Sequence, residues 1–232
     1  MKLAVITGAS RGIGYFLAEK LLEVNFTVIN ISRNKSQNKE IINYPFDLQD
    51  YDKIENLTKN IVKTHGSPSL LINNAGIASM NHTLLMKNSK VADIVNLNLI
   101  TPIILSKEFA KFMIKRGGKI LNISSVAVPL LLEGEAVYAS SKSGLEIFSQ
   151  ILSKEVAKMN IDVSCLGLTP IQTDLINNVP SEKIENVINK QPIKKKYSEI
   201  DVWNYLELFL NDDHKKLNGK VKYLGGFGEE FK

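Results

Sequence analysis

Largely apolar, β-branched runs without regular polar alternation recur along the chain at residues 3–6, 27–31, 70–72, 119–124 and 163–167, with a last one at 221–224. Strands covered on both faces read this way, and such strands belong to parallel sheets. A brief apolar segment at 41–46 precedes Asp47 and Leu48. Between the runs, apolar residues recur at helical spacing over 15–22, 51–64, 90–116, 138–159 and 201–210. This alternation predicts an α/β fold: one doubly wound domain over residues 1–232, with a central parallel sheet of about seven strands. No internal repeat or linker interrupts it. Pro102 should bend the long helix or mark an irregular turn. Residues 34–43 are polar and barely long enough for the helix that normally joins two parallel strands. Residues 174–196, with a lysine run at 194–196, read as a mobile surface stretch.

Composition narrows the classes. Hydrophobic residues make up 44% and charged ones 23% of the 232 residues, which suits a soluble chain with a well-filled core. A net charge of +5 is compatible with nucleic acid, an anionic surface or a phosphorylated cofactor. No basic run is interleaved with aromatics, so nucleic acid is not an expected partner. No segment approaches ~18 continuous apolar residues, so no membrane span is expected. The start, residues 1–9, resembles a signal peptide too briefly to be one. Cys165 is the one cysteine, which excludes an internal disulfide and fits a reducing, cytoplasmic setting. It lies in an apolar run and reads as a packed core thiol. No metal site is expected.

The chemistry begins right after the first run, at Thr7-Gly8-Ala9-Ser10-Arg11-Gly12-Ile13-Gly14. Glycines at a strand-to-helix turn permit the tight bend and let phosphates approach the backbone amides at the helix N-terminus. Gly8, Ser10, Arg11, Ile13 and Gly14 are therefore candidate cofactor-binding residues. The end of the second strand selects between dinucleotides. A carboxylate there would take the ribose hydroxyls of NAD. The chain instead has Asn30-Ile31-Ser32-Arg33-Asn34. Arg33 together with Arg11 suits a ribose 2′-phosphate, which points to NADP(H). Further on, Tyr138-Ala139-Ser140-Ser141-Lys142 places a phenol and an ammonium four residues apart on one helix face. A fixed cation favours the phenolate and turns such a tyrosine into a general acid–base group.

With Asp47, the run Asn73-Asn74-Ala75-Gly76, Asn98 and Ser125 in strand and helix context, these motifs resemble the short-chain dehydrogenase/reductase family in its compact form over essentially the whole chain. Among its members the chain is similar to 3-oxoacyl-carrier-protein reductases and related ketone reductases. The resemblance implies a Rossmann fold and hydride transfer between NADP(H) and a small carbonyl or alcohol substrate. It makes Tyr138 the proton donor or acceptor and Ser125 the hydrogen-bond donor to the substrate oxygen. Lys142 would lower the pKa of Tyr138 and hold the nicotinamide ribose, and Asn98 would anchor a relay water. Asp47 and Leu48 would meet the adenine, and Asn74, Ala75 and Gly76 the adenosine ribose side. Ile171 and Thr173 would grip the carboxamide. A homodimer or homotetramer through the helices around 98–115 and 138–159 is also implied.

The chain departs from the family where a Pro-Gly pair usually follows the sixth strand. Leu168 and Thr169 stand there, with Pro170 two residues late. The expected pocket lies over Ser125 and Tyr138, walled by residues 130–132, the loop after Gly76 and residues 174–196. Glu133 and Glu135 either face solvent or meet substrate hydroxyls. The alternatives are a sugar or polyol oxidoreductase of the same family and a non-catalytic NADP-binding sensor or scaffold.

Overall fold

A computed structural model describes residues 2–172, 179–212 and 215–227. In chain order the strands are β1 (Lys2–Thr7), β2 (Phe26–Ser32), β3 (Ile42–Pro45), β4 (Leu70–Asn73), β5 (Gly118–Ser125), β6 (Ile161–Leu168) and β7 (Val221–Tyr223). They form one seven-stranded sheet in the order β3-β2-β1-β4-β5-β6-β7. Every pairing in it is parallel.

The helices are α1 (Gly12–Glu23), α2 (Ile54–His65), α3 (Asn88–Val95), α4 (Thr101–Met113), α5 (Ala127–Leu130), α6 (Ala136–Val156), α7 (Ser181–Asn189) and α8 (Glu199–Leu210). They cover both faces of the sheet, which explains why its strands lack polar alternation. On β1, Ala4 and Ile6 pack with Leu17 and Leu21 of α1 and Phe209 of α8. Leu3 and Val5 point the other way, into a core with Ile61 of α2, Phe109 of α4 and Leu152 of α6. Each Val, Leu, Ile or Phe side chain buried this way stabilises the fold by about 1.5–3 kcal/mol.

Chain direction from β1 to β2 runs one way across the sheet, and from β4 onward it runs the other. The C-terminal ends of β1 and β4 therefore flank a switch point, where open α/β sheets form their ligand crevice. Thr7 bridges those two ends: its Oγ1 accepts the amides of Asn74 and Ala75, both at 3.0 Å.

Two details depart from the sequence expectations, and a third, the short β2–β3 connection, meets one. The helix expected over 90–116 is two helices, α3 and α4, joined by a π-helical turn at Asn96–Ile100. Pro102 sits in the first turn of α4 and cannot donate a bond to Asn98 four residues earlier. The connection from β2 to β3 contains no helix. Asn43 closes it instead, its Oδ1 accepting Asn30 Nδ2 at 2.9 Å and the Ser36 amide at 2.8 Å. Within residues 174–196, α7 is a regular helix, begun by Pro180 and Glu182 and burying Val187 and Ile188. Thr173 lies outside the described residues.

Candidate active site

The loop from β1 to α1 has the geometry of a phosphate cradle. Gly8 (φ 73°) and Gly12 (φ 56°) occupy left-handed backbone that side chains disfavour. A Cβ on Gly14 would stand 2.5 Å from both the Gly8 carbonyl and Asn74 Nδ2. The first turn of α1 contains no acidic residue, and Arg11 at its N-cap makes no side-chain capping bond. The first-turn amides thus lack a side-chain acceptor there, the situation that attracts an anion. Ser10 and Ile13 are half-buried in this loop, and Ile13 lines the cavity beside it. Arg11 and Arg33 are exposed beyond the adjoining ends of β1 and β2.

The loop is held by residues with no charge. Asn30 Oδ1 accepts the Ala9 amide at 2.9 Å. Asn74 Nδ2 donates to the Thr7 carbonyl at 3.0 Å and reaches the Gly8 carbonyl at 3.4 Å. Sequence reasoning noted Asn30 as a missing carboxylate; the structure shows it as the brace of the glycine loop. Asp47 is exposed and accepts the Gln49 amide at 3.0 Å. Leu48 is buried, and its carbonyl accepts Thr101 Oγ1 at 2.6 Å.

A cavity of about 350 Å³ opens at the C-terminal edge of the sheet. Ser125, Tyr138 and Lys142 line it, together with Ile13, Asn74, Gly76 and Ile171. Ser125 hydrogen-bonds the phenol of Tyr138, which opposes the rise in its pKa. Burial wins nevertheless and pushes the phenol up to about 12, with Glu135 adding to the rise. The same burial brings Lys142 down to about 8. Lys142 Nζ lies 6.0 Å from the centre of the Tyr138 ring and donates to the Ile123 carbonyl at 2.8 Å. The expected lowering of the Tyr138 pKa by Lys142 is thus not a property of the protein alone. Desolvation of a phenolate outweighs a cation at that separation that is already tied to a carbonyl.

Asn98 lies in the π-helical turn with its side chain fully buried. Its Oδ1 accepts the Ile77 amide at 2.9 Å, and its Nδ2 donates to the Ile77 carbonyl at 2.8 Å and to Ser141 Oγ at 3.2 Å. The amide is a clamp on the loop after Gly76. A Cβ on Gly76 would come within 3.1 Å of Asn98 Oδ1 and 3.5 Å of Lys142 Nζ, so the clamp places that loop against the lysine.

The structure adds residues that the sequence reading passed over. Glu146, one turn beyond Lys142, is buried, bonded to Ser124 Oγ and accepts the Tyr223 phenol at 2.7 Å. The four-residue steps 138, 142, 146 on one helix face carried that signal. Glu135 lines the cavity, whereas Glu133 is exposed. Of the leucines expected as a wall, Leu132 lines the cavity and Leu131 faces solvent at 84% exposure. At the departure after β6, Thr169 is buried and bonded to Gln191 Nε2, and residues 168–171 border the cavity. Among the described residues, no group of three His, Cys, Asp or Glu is placed to hold a metal. No described helix is long and apolar enough to cross a membrane.

Known proteins resemble the chain in sequence and fold. The chain is 30% identical to the 3-oxoacyl-acyl-carrier-protein reductase FabG of Escherichia coli K12 over 97% of its length and 96% of that protein. It is 31% identical to the enzyme of the same name from Buchnera aphidicola subsp. Schizaphis graminum, with the same coverage. A solved 4-hydroxyisoleucine dehydrogenase mutant, complexed with NADH and succinate, superposes with a TM-score of 0.89 at 27% identity, covering 97% of this chain and 98% of that one. Thermoplasma acidophilum aldohexose dehydrogenase shares the fold, with a TM-score of 0.86 at 24% identity and coverage of 96% and 92%. Residues 2–184 match the short chain dehydrogenase family, and the chain belongs to that family of oxidoreductases.

Proposed function

We propose that this chain is an NADP(H)-dependent oxidoreductase, a single domain over residues 1–232, that interconverts a ketone and a secondary alcohol. One observation carries the reading: Ser125, Tyr138 and Lys142 line the same cavity as Ile13 and Gly76 of the two dinucleotide-side loops. The chain fits a dinucleotide, because the space at Gly14 tolerates no side chain and the N-terminus of α1 offers amides without a nearby acid. Gly8 and Ser10 would hold the pyrophosphate, Asp47 and Leu48 the adenine, and Ile171 and Thr173 the carboxamide. Arg33 together with Arg11, with no acid between Asn30 and Asn34, would read the 2′-phosphate. Hydride donation or acceptance is the chemistry the bound dinucleotide supplies.

The chain's own residues manage the oxygen. Ser125 donates a hydrogen bond to it and stabilises the charge that develops there. Tyr138 keeps its proton at neutral pH and gives it to that oxygen as the alcohol forms. Lys142 stabilises the phenolate left behind and holds the nicotinamide ribose. Asn98 is a positioning residue that keeps Gly76 beside Lys142. A polyol or sugar oxidoreductase is the second reading, favoured by the buried carboxyl of Glu135 in the cavity. The assembly is an oligomer through α6, which exposes Ile147 and Ile151 four residues apart.

Two substitutions test these roles. Tyr138→Phe is expected to bind NADPH with wild-type affinity in a fluorescence titration yet lose turnover; full activity would remove Tyr138 from the mechanism. Arg33→Ala is expected to weaken NADPH by roughly tenfold or more and NADH hardly at all, as loss of a charge-assisted contact implies. Equal weakening of both would show that Arg33 does not read the phosphate.

A further inference from the structure

Glu135 occupies the N-cap of α6, three residues before Tyr138, and is only 5% exposed. Its side chain makes no capping bond to the helix. Its Oε2 has no hydrogen-bond partner among the described residues. Both Glu135 and Tyr138 line the cavity, and the two groups are close enough for the carboxyl to act on the phenol. The same cavity is lined by the apolar Met80, Leu132 and Val187 and by the polar Asn74, Ser125 and Lys142. Burial holds the carboxyl up at about 7, and Lys183 on α7 draws it only partway down.

A buried carboxyl oxygen without a partner costs stability. A pocket that holds a buried polar atom without a partner selects a ligand that supplies the missing donor. A plain acyl chain does the opposite, since it seals the oxygen away from water and leaves it unpaired. Glu133, two residues earlier, is exposed and takes no part.

We propose that Glu135 is a substrate-binding residue whose carboxyl accepts a hydrogen bond from a hydroxyl or ammonium group on the carbon next to the reacting one. The substrate is then a vicinal diol or amino alcohol, or the matching α-substituted ketone. The assignment deepens the ketone–alcohol reading and rests on it. It sets this chain apart from what the name of its 3-oxoacyl reductase relatives describes.

The test compares butan-2-ol, butane-2,3-diol and 3-aminobutan-2-ol. Calorimetry with the Tyr138→Phe protein saturated in NADP⁺ reads binding without turnover, and the wild-type protein reads oxidation of the same alcohols. The substituted alcohols are expected to bind at least about tenfold more tightly than butan-2-ol, the discrimination a site built to pair a polar group achieves. Adding Glu135→Ala should erase that preference. Glu135→Gln should keep part of it for the diol and lose it for the amine, and NADP⁺ binding reports that each variant is folded. A preference for the diol alone identifies the hydroxyl as the recognised group, and one for the amine alone identifies the ammonium. Equal binding of the three alcohols, or a preference that survives Glu135→Ala, would overturn the proposal. Glu135-dependent binding with no oxidation of any alcohol would uphold it while removing the oxidoreductase reading. Tyr138-dependent oxidation of all three at equal efficiency would do the reverse.

Discussion

Burial holds Tyr138 protonated at neutral pH, so the phenolate that a general base needs is its minor form. With its pKa pushed up to about 12, the phenol carries its proton at neutral pH as a weak acid, and little phenolate is present to accept one. Alcohol oxidation therefore needs the minor phenolate form. Its kcat/KM is expected to climb with pH above neutrality by up to about tenfold per unit, the limit for one required deprotonation. Ketone reduction is expected to show no such rise. A flat oxidation profile between pH 7 and 9, measured with a substrate whose chemistry is rate-limiting, would contradict that account. The four-residue spacing of Tyr138 and Lys142 was legible in the sequence, because helix periodicity alone puts them on one face. The balance between burial and charge was not legible, since it depends on how deeply Lys142 lies (4% exposed) and on the Ile123 carbonyl that engages it. Glu146 and Tyr223 escaped notice for a related reason: 77 residues separate them, and only folding brings β7 beside α6.

At the scale of elements, the strands were readable because each is buried on both faces and so carries an apolar run. The glycine loop was readable because a tight strand-to-helix turn admits few residue types. The break between α3 and α4 was only half visible. Pro102 announced a disturbance, but the π-helical turn that buries Asn98 follows from packing against α6, where Ser141 meets the Asn98 amide. The α7 helix was hard to read because lysines follow it and its buried residues are few. Asn98→Ala tests the turn's purpose. It strands the amide and carbonyl of Ile77, and each buried polar group left unpaired costs about 1–3 kcal/mol. The expected result is a lower melting temperature together with a weaker NADPH affinity, as the loop at Gly76 drifts from Lys142. An unchanged affinity in a destabilised variant would show that the clamp serves the fold alone.

Across the whole molecule, the reversal of strand order between β1 and β4 collects the glycine loop, the Asn74–Gly76 turn, Ser125 and the start of α6 at one edge of the sheet. Residues far apart in the chain thereby share one cavity. The opposite surface of α6 carries Ile147 at 55% and Ile151 at 52% exposure, an apolar strip that a second subunit would cover. If the proposed assembly forms through this strip, replacing both with Glu is expected to leave a monomer in light scattering behind a sizing column. A wild-type protein that is already monomeric would refute the interface.

The central claim is that this cavity moves hydride to or from a carbonyl carbon under control of Tyr138. Its most direct measurement is the loss of NADPH absorbance by the purified protein over a panel of 3-oxoacyl thioesters, quinones, keto sugars and diketones, with Tyr138→Phe alongside. The account predicts turnover of at least one ketone class by the wild-type chain and none by the variant. Turnover that persists in Tyr138→Phe, or tight NADPH binding with no ketone reduced, would contradict it.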